Sequence, residues 1–221
     1  MVTEYLGNDF INMFDLIEVS MGNGLSEDCG RYFMKQMLSA LSYLHNEHDT
    51  VHRDLKLENI LIDGKVNFKI LDFGLSCKGN ATDVTGAVGS PNYVAPEILQ
   101  SKHYDGTKAD VFSLGVLLFI IVIGKFPHGQ KILTDKFYKL IQEKRYDEYL
   151  KLVQATHTSK EFQELIFQML ARNPMERPSV RQILRSRFVQ NPVYNEDATV
   201  KFLKSKMELV LANQAKDKEE E

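Results

Sequence analysis

Cysteine is scarce in this sequence: Cys29 and Cys77 are the only two in 221 residues. They form no C-x-x-C pair and no histidine cluster accompanies them, which argues against a disulfide framework and a structural zinc site. Two reduced thiols fit a cytoplasmic or nuclear protein. An excess of positive charge is also lacking. Lys and Arg number 27 against 30 Asp and Glu, for a net charge of -3, which leaves no electrostatic footprint for nucleic acid. The longest apolar stretch, Val111 to Ile123, is interrupted by Ser113 and Gly115 and falls short of the ~20 residues a membrane span needs. The opening Met1-Val2-Thr3-Glu4-Tyr5 has no basic region ahead of an apolar core, so no signal peptide is expected. A soluble protein with no membrane partner is the expectation.

What is present suits a single packed domain. The chain is 43% hydrophobic and 26% charged, enough for one core under an ordinary surface. Ser26 reads as a helix N-cap with Glu27 and Asp28 in the favoured acidic first turn. Phe33, Met37, Leu41 and Leu44 come next at helical spacing, predicting a helix to about Asn46. From Thr107 onward the pattern is helical near 107–124, 134–145, 159–170, 179–186 and 197–214, with Ser159 and Ser179 as N-caps. Thr107-x-x-Asp110 resembles a capping box, and Gly124 is placed to end the first of these helices. That helix is apolar all round and must be wrapped by others. Asp63-Gly64, between two apolar runs, predicts a hairpin with both turn residues at positive φ. Residues 74 to 92 are rich in Gly, Ser, Thr and Asn and predict a long irregular loop. The fold class is therefore mainly α with a small β-hairpin.

Chemistry concentrates around that hairpin. His52-Arg53-Asp54-Leu55-Lys56-Leu57-Glu58-Asn59 is followed by Asp72-Phe73-Gly74 and then by Ala95-Pro96-Glu97. Asn59 opens one predicted strand and Asp72 closes the other, so antiparallel pairing brings their oxygens together. Two hard oxygen ligands at one point suit Mg²⁺ held jointly with nucleotide phosphates. Asp54, five residues before Asn59, lies close to the same spot.

These three motifs, in order, resemble the large C-terminal lobe of eukaryotic-type serine/threonine protein kinases, from Met1 to residue 189. Residues 190–221 are then a C-terminal helical extension with a charged tail. Gly89-Ser90-Pro91-Asn92-Tyr93-Val94-Ala95-Pro96-Glu97 and Asp110-Val111-Phe112-Ser113-Leu114-Gly115-Val116 are similar to the calcium/calmodulin-dependent and AMP-activated groups. The resemblance implies ATP and Mg²⁺ as cofactors and a protein serine or threonine as substrate. It implies that Asp54 orients the attacking hydroxyl and accepts its proton, that Lys56 offsets phosphoryl charge, and that Asn59 and Asp72 hold the metal. Glu4, Tyr5 and Leu6 would form the hinge that meets adenine. Ser90 would bond the Asp54–Lys56 pair, with Tyr93 in the same substrate loop. Glu97 and Arg177 would form a buried ion pair, Asp110 would anchor the catalytic loop, and Arg53 would receive a phosphate placed on Thr82 or Thr85.

The sequence also departs from that family. Phe112 stands where Trp is usual, and Asn12 where an acid is common. No G-x-G-x-x-G occurs, and Lys35 is the only lysine before Asp54. The small N-terminal β lobe, with its phosphate-covering loop and strand lysine, is therefore expected to be missing, leaving a face for that lobe or another protein. Weak or absent activity of this chain by itself is the corresponding expectation. Two readings stand side by side: an ATP-dependent serine/threonine kinase, and a non-catalytic kinase-like binding or scaffold fragment.

Overall fold

The computed structural model describes residues 10–20, 22–191 and 194–220. The elements in chain order are β1 (Phe10–Asn12), α1 (Met13–Glu18), α2 (Glu27–Ser42), β2 (Thr50–Val51), β3 (Ile60–Asp63), β4 (Phe68–Ile70), β5 (Cys77–Lys78), β6 (Val84–Thr85), β7 (His103–Tyr104), α3 (Gly106–Ile123), α4 (Lys136–Gln142), α5 (Tyr146–Leu152), α6 (Lys160–Met169), α7 (Val180–Leu184) and α8 (Glu196–Glu220). Three antiparallel sheets are present among the described residues, ordered β1-β3-β4, β2-β5 and β6-β7.

Ser26 caps α2 by accepting a hydrogen bond from the Cys29 amide at 3.2 Å. The regular helix ends at Ser42 and widens into a π-turn over Tyr43–Glu47, which accounts for the apolar pattern reaching Leu44. Ser159 and Ser179 cap α6 and α7, the latter with a reciprocal bond to Gln182.

Helix α3 is the axis of the core. Its ends match the sequence expectation closely, and 89% of its 18 residues are buried inside the protein. At 18 residues the helix is longer than the Val111–Ile123 run the sequence marks. Contrary to the expectation, it has the length and composition of a membrane span, but it is packed inside the protein against α2 and α6. The cap is Asp105 rather than Thr107. The Asp105 carboxylate accepts from the amides of Thr107 and Lys108, and the Thr107 hydroxyl donates to it. Thr107 is thus a partner of the cap, and the side chain of Asp110 is released for another role. Gly124 ends the helix at φ 82°, a left-handed conformation that favours glycine.

The hairpin forms with the register Ile60↔Ile70 and Ile62↔Phe68. Its turn differs from expectation. The left-handed residue is Val66, at φ 67°, and neither Asp63 nor Gly64 has positive φ. Val66 is fully buried, and the Asp63 side chain takes the amides of Lys65 and Asn67. Apolar burial and the Asp63 bonds therefore hold a β-branched residue in a conformation it disfavours. Strand β1, which no pattern in the sequence marks, pairs with β3.

Helix α8 packs against α2, α1 and β1, with a Lys35–Glu196 ion pair to α2 and with Leu203, Met207 and Val210 buried. Gln214 on α8 donates to Asp15 on α1.

Candidate active site

Strand β2 delivers the chain directly into His52-Arg53-Asp54, and α3 fixes the backbone of that turn. The Asp110 carboxylate accepts from the His52 amide and the Arg53 amide, both at 2.9 Å, and from His45 Nε2 at 2.8 Å. These bonds hold Arg53 at φ 68°, a conformation costly for a long side chain. His52 is buried. Its Nδ1 accepts from the Asp54 amide at 3.2 Å, so its Nε2 carries the proton donated to Leu71 O at 2.9 Å. The Phe73 ring packs edge-on against His52 at 5.0 Å.

Asp54 sits at the centre, 6% exposed. Its Oδ1 accepts from the Ser90 amide at 2.9 Å and the Ser90 hydroxyl at 2.8 Å. Its Oδ2 meets Lys56 Nζ at 2.8 Å and Asn59 Nδ2 at 3.3 Å. Lys56 also donates to Ser90 Oγ at 3.1 Å. Burial opposes the ionised form of Asp54, but the hydrogen bonds from Lys56 and Ser90 outweigh it and hold the carboxyl below the usual carboxylate range. The bond to Asp54 in turn raises the Lys56 ammonium. The pair is ionised at neutral pH: a carboxylate able to accept a proton beside a cation able to neutralise an anion.

Gly89, at φ 112°, lets the loop carrying Ser90 pass the His52–Asn59 loop. A Cβ there would lie 2.8 Å from Arg53 O.

Asn59 and Asp72 fall on neighbouring positions of the hairpin. The Leu71 amide donates to Asn59 O at 2.8 Å, one residue before Asp72. Both Nδ2 bonds of Asn59 go to Asp54, one to its backbone O at 2.9 Å. Asn59 Oδ1 is therefore the atom left to act as a ligand. Asp72 is exposed at φ 57°, and its Oδ1 accepts from the Gly74 amide. An amide oxygen and a carboxylate are the hard donors Mg²⁺ takes, with phosphate oxygens and water completing its shell. Among the described residues no three His, Cys, Asp or Glu side chains are grouped to hold a metal. The donor set therefore fits a metal that arrives with its phosphates.

The surrounding residues support this loop. Arg177 and Glu97 form a bidentate pair at 2.6 and 2.7 Å, with Arg177 1% exposed. The guanidinium also donates to Ala171 O and Lys108 O and lies 4.9 Å from the ring centre of Phe112. Phe112 therefore keeps an aromatic face against Arg177. Tyr93 is buried, its hydroxyl 3.3 Å from Glu58 Oε2 and its ring against Phe126 at 5.3 Å, so it anchors the loop from below. Asn12 caps α1 and donates to Glu58 O. Thr82 and Thr85 are exposed, and Arg53 donates to Leu75 O at 2.6 Å and to the backbone O of Thr85 at 2.9 Å. Glu4, Tyr5 and Leu6 lie outside the described residues. His45, which shares Asp110 with the backbone of His52 and Arg53, was not legible as a site residue. Its only sequence signal is a histidine at the end of the helix before the loop.

The family model described as protein kinase domain matches residues 1–189. SNF1-like protein kinase ssp2 of Schizosaccharomyces pombe is 36% identical over 186 residues, covering 84% of this chain and 30% of that protein. CBL-interacting protein kinase 17 of Oryza sativa is 34% identical over 210 residues, covering 90% of this chain and 44% of its own length. Serine/threonine-protein kinase kin-29 of Caenorhabditis briggsae is 34% identical over 211 residues, covering 92% and 25% respectively. The chain thus spans less than half the length of these curated relatives.

Proposed function

The chain belongs to the protein kinase domain family, and on that premise we propose that it carries the catalytic and metal-binding residues of an enzyme transferring the γ-phosphate of ATP to protein serine and threonine hydroxyls. The observation that carries this is the three-residue cluster of Asp54, Lys56 and Ser90, closed by bonds of 2.8 to 3.1 Å and placed beside Asn59 and Asp72.

In this reading the substrate hydroxyl is oriented by Asp54. As its oxygen bonds to the γ-phosphorus and the bond to the ADP oxygen breaks, its proton passes to the Asp54 carboxylate. Lys56 neutralises charge spread over the transferred group. Asn59 Oδ1 and Asp72 would hold Mg²⁺, which supplies charge neutralisation for the phosphates. Little covalent help is needed, because phosphoryl transfer is catalysed mainly by positioning and electrostatics. Lys56, two residues after Asp54, favours serine and threonine over tyrosine by family resemblance. A cytoplasmic location belongs to the same proposal and rests on the free thiols of Cys29 and Cys77.

Residues 1–221 contain no Gly-rich phosphate-covering loop. An isolated 1–221 polypeptide would hold nucleotide on an open, wet surface where electrostatic stabilisation is weak, so we place its transfer activity near background. The test uses the intact natural protein containing residues 1–221, with serine, threonine and tyrosine versions of one peptide library. Incorporation on serine or threonine supports the proposal. Incorporation on tyrosine alone, or none with any peptide, favours another class or a scaffold.

A further inference from the structure

The segment between Asp72 and Ser90 carries the residue that bonds Asp54, and its course is set by a side chain that belongs to none of the kinase motifs. Asp49 lies just before β2, at φ 44°, a left-handed conformation that Asp tolerates better than most residues. Its backbone O accepts from the Gly79 amide at 2.8 Å. Its Oδ2 accepts from the Asn80 amide at 2.7 Å and its Oδ1 from the Ala81 amide at 2.9 Å. Three consecutive amides are thus taken by one residue, two of them by a charged acceptor, the stronger kind of hydrogen bond. Gly79 and Asn80 also have positive φ, 77° and 64°, so the chain turns sharply at the grip.

The grip is continuous with the catalytic loop on one side and with α3 on the other. On the first side, β2–β5 pairing (Thr50↔Lys78, Val51↔Cys77) runs from Asp49 into His52-Arg53-Asp54. On the second, the buried Ala81 passes its carbonyl to the Gly106 amide at the start of α3, the helix whose Asp110 anchors His52 and Arg53. Beyond Ala81 the chain pairs in β6–β7 and meets Arg53 at Thr85 O before reaching Ser90.

We propose that Asp49 is a positioning residue: its carboxylate sets where residues 79–81 leave the catalytic loop, and through them the placement of the 82–94 segment that presents Ser90 to Asp54. This rests on the kinase reading for its consequence in activity, though not for its consequence in structure. Asp49→Asn keeps the backbone carbonyl and tolerance of positive φ but replaces one acceptor oxygen by a donor facing an amide. Asp49→Gly keeps the backbone and removes both acceptors, so neither variant is expected to prevent folding.

The experiment compares wild-type full-length protein with both variants by hydrogen–deuterium exchange and by steady-state kinetics against one serine peptide. Exchange at Asn80 and Ala81 should become about tenfold faster in Asp49→Gly, with faster exchange spreading through residues 82–94 and with α6 and α8 unchanged. The peptide kcat/KM should fall by about tenfold while KM for ATP holds, because peptide positioning alone is disturbed; Asp49→Asn should fall between. Faster exchange confined to residues 80 and 81, or peptide kcat/KM unchanged in an active enzyme, overturns the proposal. If the wild-type protein phosphorylates nothing, the kinase reading fails, and spread or confinement of exchange still decides whether Asp49 places the 82–94 segment.

Discussion

The Ser90 hydroxyl donates to Asp54 Oδ1 at 2.8 Å while accepting from Lys56 Nζ at 3.1 Å, so one serine bridges the candidate base and the candidate phosphate cation. Ser90→Ala removes that bridge and leaves the Ser90 amide bond to Asp54. A lost hydrogen bond to a charged group is worth roughly 1.5–3 kcal/mol, of which only the part realised in the transition state reaches kcat. Turnover on a serine peptide should therefore fall about tenfold. Ser90→Thr, which keeps the hydroxyl, should recover most of it. Equal losses in both variants would show that the hydroxyl is not the active feature.

Glu97 and Arg177 predict a stability effect. Both are buried and paired through two parallel bonds, so Glu97→Ala leaves a guanidinium without its counter-charge. Breaking such a pair from one side costs about 3–5 kcal/mol. Urea unfolding of the full-length protein should show a loss of that order in the kinase-domain transition. A loss below about 1 kcal/mol, the range of exposed pairs, would contradict the buried-pair assignment.

His128 predicts sensitivity to acid. Its Nδ1 donates to Gly129 O, which leaves Nε2 as an unpartnered lone pair among the rings of Phe112 and Tyr138. Burial depresses its pKa from the ordinary value of 6.5, more than the Gly129 carbonyl and Asp135 can restore. The folded form stays neutral while the unfolded chain takes a proton, so the unfolded state binds more protons and stability falls as pH drops through 6.5. His128→Phe removes the titrating group. The wild type should lose more stability than the variant between about pH 7 and pH 5, measured by chemical unfolding at each pH. Identical slopes would contradict the buried neutral histidine.

Much of this molecule was legible because its signals are local. The apolar run from Val111, the N-cap serines 26, 159 and 179, and the string from His52 to Asn59 each lie within one short stretch, and the fold uses them as the spacing predicts. What escaped depends on partners distant in sequence. Strand β1 is three residues long and exists through pairing with β3. Helix α5 has no side-chain cap at Arg145, so only the acidic Asp147 and Glu148 of its first turn mark its start. The hairpin turn was misplaced because burial of Val66 outweighs the turn preference of Asp63-Gly64. At the site, Asp54, Asn59 and Asp72 could be named from the motifs and their spacing, and Lys56 from the family resemblance. The roles of His45 and Asp49 appear only once α3 and the 79–81 segment fold against them.

The most direct test of the central claim is the turnover of Asp54→Asn in the full-length protein, read as transfer from radiolabelled ATP to a serine peptide alongside nucleotide affinity. Asn keeps the size of Asp54 and an acceptor for Ser90, and it removes the carboxylate that takes the proton. Turnover should drop by about 10²–10⁴-fold, the usual contribution of such a group, with Mg-ATP affinity little changed. Turnover within a few-fold of wild type would contradict Asp54 as the catalytic base.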